Sequence, residues 1–217
     1  MTGKSLLDVP GSRPSLQGLY VVLDHRPGRP RSLLEVLVEA ASAGVRLFQY
    51  RNKTGSMLEA YRDGLPLRRA AAAAGALFIV NDRCDLTLAL EADGVHLGQD
   101  DLPLPEARMI LGPSRLIGIS THDGQQIREA ADGGADYLAF GPIFATSTKP
   151  DHAPVVGLEG LRYARSLTRL PLFAIGGITP DNATSVWGTG ANGIAVISAI
   201  LQAADVTTTV RRFMSRL

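Results

Sequence analysis

The chain has 217 residues, of which 45% are hydrophobic, and its formal net charge is +1. This length supports one substantial core, and a near-neutral charge without a long basic run argues against a nucleic-acid partner. No apolar run is long enough to span a membrane, and the first 15 residues lack the apolar segment of a secretory signal. Cys84 is the only cysteine, so no internal disulfide is expected, which fits a cytoplasmic location.

Strand-like and helix-like segments alternate along the chain after residues 1–17, which are predicted to be a flexible tail. Eight apolar runs predict strands at 18–24, 45–51, 77–82, 94–98, 115–121, 137–141, 170–176 and 193–198. Helical spacing predicts helices at 32–43, 56–74, 103–111, 123–133, 158–168, 180–189 and 206–216.

This alternation is typical of an α/β protein, a single-domain (β/α)8 TIM barrel over residues 18–217. The strands are short and continuously apolar, as expected where helices cover the outer face of a parallel sheet. A doubly wound open sheet is the competing architecture. In a barrel, functional groups should follow the carboxyl ends of the strands.

The second strand ends in LFQYRNK, residues 47–53. Alternation along a strand puts Gln49, Arg51 and Lys53 on one face and Phe48 and Tyr50 on the other. If the aromatic rings face the helices, an amide, a guanidinium and an ammonium face the barrel mouth, where they suit phosphate oxygens. The alternative is a surface ion pair at a strand end.

Acidic residues follow the third and fourth strands. Asn81 and Asp82 end the third, and Asp100 and Asp101 follow the fourth. Carboxylates beside phosphate-binding groups suit Mg²⁺, whose coordination shell substrate phosphates complete. The alternative is helix N-capping, which we expect to be the only role of Asp85 and Asp100.

The fifth strand ends in GISTHD, which places Ser120 and His122 on one face. His122 is either a group that titrates near neutral pH or a satisfied structural histidine. His96, inside the fourth strand, is predicted to be core, and Cys84 and Trp187 to be packing residues.

The segment 139–150, AFGPIFATSTKP, follows the sixth strand with Thr146, Ser147, Thr148 and Lys149. The seventh strand ends in Gly176 and Gly177 and the eighth in Ser198, a part of the barrel that often holds a phosphate. The residues therefore predict two anion sites, one beside the acidic pair and one at the seventh and eighth strands. Lys149 could reach either of them.

Seven segments resemble, in order and spacing, the thiamine-phosphate synthase family over roughly residues 18–200. They are QYRNK, VNDRCDLTLAL, DGVHLGQDDLP, IGISTH, ADYLAFGPIFATSTKP, FAIGGI and GIAVISAI. The resemblance implies a transferase that joins 4-amino-2-methyl-5-hydroxymethylpyrimidine diphosphate to 4-methyl-5-hydroxyethylthiazole phosphate, giving thiamine phosphate and diphosphate. The first strand departs from the family at Leu23, where threonine is more frequent, so neither Leu23 nor Asp24 is assigned a role.

The resemblance also implies roles for individual residues. Ser120 would contact the pyrimidine or its leaving group, and Asp82 and Asp101 would bind Mg²⁺. The pyrimidine diphosphate would be held by Gln49, Arg51, Lys53, Asn81 and Lys149. The thiazole phosphate would be held by Thr146, Thr148, Gly177 and the amides of Ile197 and Ser198.

In this family the diphosphate is thought to leave before the thiazole nitrogen attacks. Such a step requires that the negative charge on the departing oxygens be neutralised. Mg²⁺, Arg51, Lys53 and Lys149 would supply the positive charge, and Ser120 would add a contact. The segment 150–157, which carries two prolines and a glycine, is predicted to act as a lid.

Two other functions stay open at this stage. A thiazole tautomerase of the same fold would use His122 as a general base and no metal, and the acidic pair argues against it. A non-catalytic barrel that binds phosphate ligands is the second. The sequence does not reveal the oligomeric state, and a homodimer is the association expected of a small barrel.

Overall fold

Eight parallel strands close into a barrel in the computed structural model, which describes residues 15–26, 28, 31–146 and 153–215. The strands are β1 (Gly18–Asp24), β2 (Leu47–Arg51), β3 (Leu77–Asn81), β4 (Gly94–Leu97), β5 (Leu116–Thr121), β6 (Tyr137–Phe140), β7 (Leu172–Ile175) and β8 (Gly193–Val196). Each strand pairs with its neighbours along the chain, and β8 pairs with β1. The predicted (β/α)8 barrel is confirmed, and the doubly wound alternative is wrong.

Helices cover the outside of the barrel. They are α1 (Leu33–Ser42), α2 (Met57–Ala73), α3 (Cys84–Ala89), α4 (Leu104–Leu111), α5 (Gly124–Asp132), α6 (Gly157–Leu167), α7 (Ala183–Trp187), α8 (Ser198–Leu201) and α9 (Val206–Met214). In the part of the chain that the structure describes, no helix is long and apolar enough to cross a membrane. Of the predicted tail, residues 1–14 lie outside the described residues.

Two short helices, α3 and α8, were not predicted. Each spans fewer than two turns, so neither shows a repeating apolar face in the sequence. Because of α8, the placement of Ser198 at the end of the eighth strand is wrong. The backbone leaves the extended conformation at Ile197, with φ −118° and ψ −83°, and Ser198 is the first helical residue.

The first two helices, α1 and α2, begin at serine capping boxes. The Ser32 hydroxyl accepts from the Glu35 amide, and the Glu35 carboxylate accepts from the Ser32 amide. Ser56 and Glu59 repeat this arrangement at α2. These reciprocal bonds fix the points where the chain turns from the barrel mouth into a helix.

The core has two layers. The outer layer lies between strands and helices and contains Phe48 and Tyr50, as predicted from the alternation of β2. Cys84 is buried in this layer, and Trp187 packs against it, so both predicted packing roles are confirmed. The inner layer fills the barrel with Tyr20, Leu47, Leu77, Ile79, Leu116, Tyr137, Phe173 and Ala195.

Large rings fit inside the barrel because neighbouring strands supply glycines. Gly118 of β5 is in register with Tyr137 of β6, and Gly193 of β8 with Phe173 of β7. A Cβ atom on Gly118 would overlap the Tyr137 ring, and one on Gly193 would overlap the Phe173 ring. The inner layer therefore holds aromatic residues directly below the barrel mouth.

Candidate functional site

The carboxyl ends of the strands surround a cavity of about 540 Å³. Every candidate substrate or metal residue that the structure describes lines it. These residues are Gln49, Arg51, Lys53, Asn81, Asp82, Asp101, Ser120, Thr146, Gly177, Ile197 and Ser198. The remaining two candidates, Thr148 and Lys149, lie outside the described residues. Side chains from distant parts of the sequence thus meet at one opening, as the barrel topology requires.

Arg51 is held by a buried carboxylate to which the sequence analysis assigned no role. Asp24, at the end of β1, is 1% exposed and accepts from Arg51 Nη1 at 2.5 Å. Its second oxygen accepts from Arg26 Nε at 2.7 Å. The position of Asp24 does indicate a functional role, because it ends a strand as the other candidates do. The surface-pair alternative for Arg51 does not hold, because its partner is buried.

Lys53, Asp82 and Asp101 form the charged side of the cavity. Lys53 pairs with Asp82, and Asp101 accepts from the Gly98 amide at 2.7 Å. Burial and the neighbouring Asp101 carboxylate raise the pKa of Asp82, and Lys53 opposes this. Two adjacent carboxylates in a partly buried place would both be better stabilised by a bound cation.

The capping alternative is wrong for the acidic residues. The N-cap residue of α3 is Arg83 and that of α4 is Pro103, and neither helix has a side-chain cap. Asp85 lies within α3, where it pairs with Arg83 and accepts from the Leu86 amide. Asp100 is exposed and precedes the N-cap of α4. The capping roles assigned to Asp85 and Asp100 are therefore wrong as well.

Asp82 has an unusual backbone conformation for its position. Its φ is 61°, in the left-handed region that residues other than glycine rarely adopt. Its amide donates to the His96 carbonyl at 2.8 Å, which ties the turn after β3 to β4. Strained backbone of this kind concentrates at functional sites, and here it accompanies a carboxylate that faces the cavity.

The opposite side of the cavity is built by the segments after β6, β7 and β8. Gly176 and Gly177 have φ values of 102° and 64°. A Cβ on Gly177 would come within 2.5 Å of the Ala145 carbonyl, and the Phe144 amide donates to the Gly176 carbonyl at 3.0 Å. The two glycines therefore allow the segment before Thr146 to pack against the end of β7.

The predicted lid is only partly described. Residues 150–152 lie outside the described residues, and the Val156 amide donates to the Pro142 carbonyl at 2.9 Å. Gly157 begins α6. A lid function stays a prediction.

A chain of five hydrogen-bonded polar side chains runs along the floor of the cavity, and we call it the polar relay: Gln49, Tyr20, Tyr137, His96 and Ser120. Gln49 Nε2 donates to the Tyr20 hydroxyl at 2.7 Å, and the Tyr20 and Tyr137 hydroxyls are 2.9 Å apart. His96 bonds the Tyr137 hydroxyl through Nδ1 at 3.1 Å and the Ser120 hydroxyl through Nε2 at 2.9 Å. His96 is buried as predicted, but it also lines the cavity.

The polar relay is electrically neutral. Burial lowers the pKa of His96 to about 4, so its imidazole carries no charge at neutral pH. Burial also raises the pKa of Tyr20 and Tyr137, which keeps both hydroxyls protonated. Sequence reasoning missed both tyrosines, since each lies in an apolar run that is typical of core.

His122 lines the cavity beside the end of β6. Its Nδ1 lies 2.6 Å from the Gly141 carbonyl oxygen, which can only accept, so Nδ1 carries the hydrogen. This bond fixes the orientation of the ring, as expected of a structural histidine.

Comparison with known proteins gives one consistent result. A family model described as thiamine monophosphate synthase matches residues 19–200. The thiamine-phosphate synthase of Moorella thermoacetica is 46% identical over 194 residues, which cover 89% of this chain and 92% of that protein. The corresponding protein of Chloroflexus aurantiacus is 47% identical over 194 residues, or 89% of each chain.

A solved structure agrees with these relatives. The thiamine phosphate pyrophosphorylase of Pyrococcus furiosus superposes with a TM-score of 0.85 at 40% identity, covering 93% of this chain and 96% of that one. The barrel, its closure and the order of its elements are therefore shared with a protein of the same class.

Proposed function

This chain belongs to the thiamine monophosphate synthase family, and on that premise we propose that its cavity joins 4-amino-2-methyl-5-hydroxymethylpyrimidine diphosphate to 4-methyl-5-hydroxyethylthiazole phosphate. Its activity is that of a thiamine-phosphate synthase, a transferase. The products are thiamine phosphate and diphosphate. The relatives found are synthases, and the acidic pair is present, so neither the tautomerase nor the non-catalytic barrel is favoured.

One observation carries the proposal: two groups of residues suited to binding anions line the same cavity from different arcs of the barrel. The arc from β2 to β4 supplies Arg51, Lys53 and the acidic pair. The arc from β6 to β8 supplies Thr146 and the glycine-rich end of β7. A reaction that joins two phosphorylated substrates needs two separate anchors, because these hold the reacting carbon and nitrogen in register.

The residues of the first arc fit Mg²⁺. Asp82 and Asp101 would hold the ion. Among the described residues no group of three or more His, Cys, Asp or Glu side chains could form a metal site, so the pair would depend on substrate oxygens to complete the coordination shell. Two carboxylates completed by substrate phosphates are the usual environment of Mg²⁺. The ion would neutralise charge that develops on the leaving diphosphate.

Loss of the diphosphate asks mainly for positive charge around its oxygens. Arg51 is fixed by Asp24 through one of its nitrogens, which leaves further N–H groups for phosphate oxygens. Lys53 provides a mobile ammonium beside them, and the family pattern assigns the same task to Lys149. Gln49, Asn81 and Ser120 would orient the pyrimidine, and no nucleophilic side chain is required.

The second arc would hold the thiazole phosphate. The amides of Ile197 and Ser198 lie where β8 passes into α8, and amides at such a turn bind phosphate oxygens. Thr146 and Gly177 line the same end of the cavity, and the family pattern adds Thr148. With its phosphate anchored there, the thiazole nitrogen faces the carbon that the diphosphate leaves.

The test is a discontinuous assay of the full chain with both substrates and Mg²⁺, in which thiamine phosphate is oxidised to fluorescent thiochrome. We expect product that disappears when EDTA is added and returns with excess Mg²⁺. Product that is unaffected by EDTA would overturn the metal proposal. No product from intact substrates would overturn the reaction itself.

A further inference from the structure

The polar relay joins Gln49 and Ser120, which line the cavity, through Tyr20, Tyr137 and His96. Its four hydrogen bonds are between 2.7 and 3.1 Å long. We propose that the relay fixes the direction of these hydrogen bonds so that the Ser120 hydroxyl donates its hydrogen to the pyrimidine diphosphate. This inference rests on the proposed function, and it makes Tyr20, Tyr137 and His96 positioning residues.

Gln49 sets the direction in which hydrogen bonds are donated along the relay. Its Nε2 can only donate, so the Tyr20 oxygen accepts. The single hydrogen of Tyr20 then points to the Tyr137 oxygen, 2.9 Å away. Each hydroxyl in the chain has one hydrogen, and accepting on one side commits that hydrogen to the other side.

The same rule carries the direction to Ser120. Tyr137 accepts from Tyr20 and therefore donates to His96 Nδ1. A neutral imidazole that accepts at Nδ1 carries its hydrogen on Nε2, and Nε2 lies 2.9 Å from the Ser120 oxygen. Ser120 accepts there, which leaves its own hydrogen for a group in the cavity.

Burial supports a single direction. His96 and Tyr137 are both buried, and both ring nitrogens of His96 are already bonded, to the Tyr137 and Ser120 hydroxyls.

The direction suits the proposed substrate. Phosphate oxygens and pyrimidine ring nitrogens are hydrogen-bond acceptors, and a serine that donated to His96 would face them with lone pairs. At the other end of the relay, Gln49 uses its amide nitrogen inward, so its carbonyl oxygen is the group left to accept from an amine. The relay thus presents an acceptor at Gln49 and a donor at Ser120.

The first experiment reads the His96 tautomer by ¹⁵N NMR of the full, ligand-free chain labelled at histidine and held at pH 7. The His96 signals are assigned by their loss in His96→Gln. We expect an unprotonated Nδ1 and a protonated Nε2. A hydrogen on Nδ1, alone or together with one on Nε2, would overturn the proposal. This readout does not depend on turnover, so it stands even if the proposed reaction fails.

The second experiment interrupts the relay. Tyr137→Phe should lower kcat by about three- to tenfold, the effect of one misdirected hydrogen bond, while KM for the thiazole phosphate stays within about twofold. Tyr20→Phe removes the relay's bonds to Gln49 and Tyr137, and it serves if Tyr137→Phe does not fold. Tyr50→Phe is the matched control: it is a buried tyrosine of the outer layer, outside the relay, whose hydroxyl accepts from Asn52 Nδ2 at 3.1 Å.

Equal kcat values for Tyr137→Phe and Tyr50→Phe would overturn the positioning role, as would a rise in KM for the thiazole phosphate without loss of kcat. Failure of the proposed function would look different. The wild-type chain itself would then give no product, whereas the His96 tautomer would still be measurable.

Discussion

A single buried carboxylate, that of Asp24, fixes the orientation of Arg51 at the cavity. Asp24 accepts from Arg51 and Arg26, but the Arg51 side chain is 21% exposed and the Arg26 side chain 50%. A pair with one buried member holds its geometry better than an exposed pair, which contributes little. Arg51 is therefore presented to the cavity in one orientation.

Arg51→Lys should lower kcat/KM for the pyrimidine diphosphate by at least about tenfold although the charge is kept. Lysine lacks the planar fork that binds a carboxylate and a phosphate at once. Steady-state kinetics measure this effect. Arg26→Lys is the control, because it alters the exposed partner of the same carboxylate, and it should keep the wild-type value. A wild-type rate for Arg51→Lys would mean that Arg51 does not bind the leaving group.

His96 should make stability depend on pH. Burial lowers its pKa to about 4, while the nearby Asp101 carboxylate opposes this shift. In the unfolded chain the imidazole titrates near its ordinary value of about 6.5. As the pH falls through that value the unfolded chain binds a proton that the folded chain does not, so stability is lost between about pH 6.5 and 4.

Between pH 7 and pH 5 this one group should cost on the order of 2 kcal/mol of unfolding free energy. Urea denaturation at both pH values measures the loss, and His96→Gln should show a loss smaller by about that amount. The same pH dependence in the variant and the wild type would contradict the assignment.

At the scale of elements, the register between β5 and β6 decides what the barrel interior can hold. Gly118→Ala would put a methyl group into the space of the Tyr137 ring. Overpacking of this kind costs about 1–3 kcal/mol, and a displaced Tyr137 would break the polar relay. We expect lower stability in urea together with lower kcat. Gly188→Ala is the control, since its φ is −63° and its nearest neighbour to an added Cβ is 3.6 Å away. Wild-type kcat in Gly118→Ala would contradict the link between this register and the relay.

The elements that could be predicted are those with a long repeating pattern. β1 was predicted with its observed bounds, and α2 to within one residue at each end, although Pro66 lies inside it. α3 and α8 could not be predicted, because four to six residues show no helical period. The corrections at Asp85 and Ser198 follow from these two short helices.

The candidate site was predictable where polar residues interrupt an apolar run at its end, as Arg51 and Asp82 do. Tyr20 and Tyr137 gave no such signal. They are 117 positions apart, and only the closure of the barrel brings their hydroxyls together. Asp24 also ends an apolar run, but the departure of the neighbouring Leu23 from the family pattern leaves it without a predicted role. The lid and the homodimer stay predictions.

At the scale of the whole molecule, the two proposed anchors lie on different arcs of one closed barrel and should be separable by mutation. Asp101→Asn keeps an acceptor for the Gly98 amide but removes a charge from the proposed Mg²⁺ site. We expect turnover to fall roughly a hundredfold, while the dissociation constant of the thiazole phosphate changes by less than about twofold. Rapid-quench turnover and calorimetric titration measure the two quantities.

Asp100→Asn is the matched control for this prediction, because it removes the adjacent exposed carboxylate and should retain wild-type turnover. An equal loss of thiazole phosphate affinity in Asp101→Asn would show that the two anchors are not independent.

The contact between Gly118 and Tyr137 also constrains the order in which this barrel can change over generations. A descendant with a smaller residue at 137 gives up one hydroxyl of the polar relay but gains room for a side chain at 118 without a steric overlap. If position 118 gains a side chain first, that side chain overlaps the Tyr137 ring, and the protein must tolerate this destabilised variant until position 137 changes. The two positions should therefore substitute as a pair in a fixed sequence, with 137 leading and 118 following.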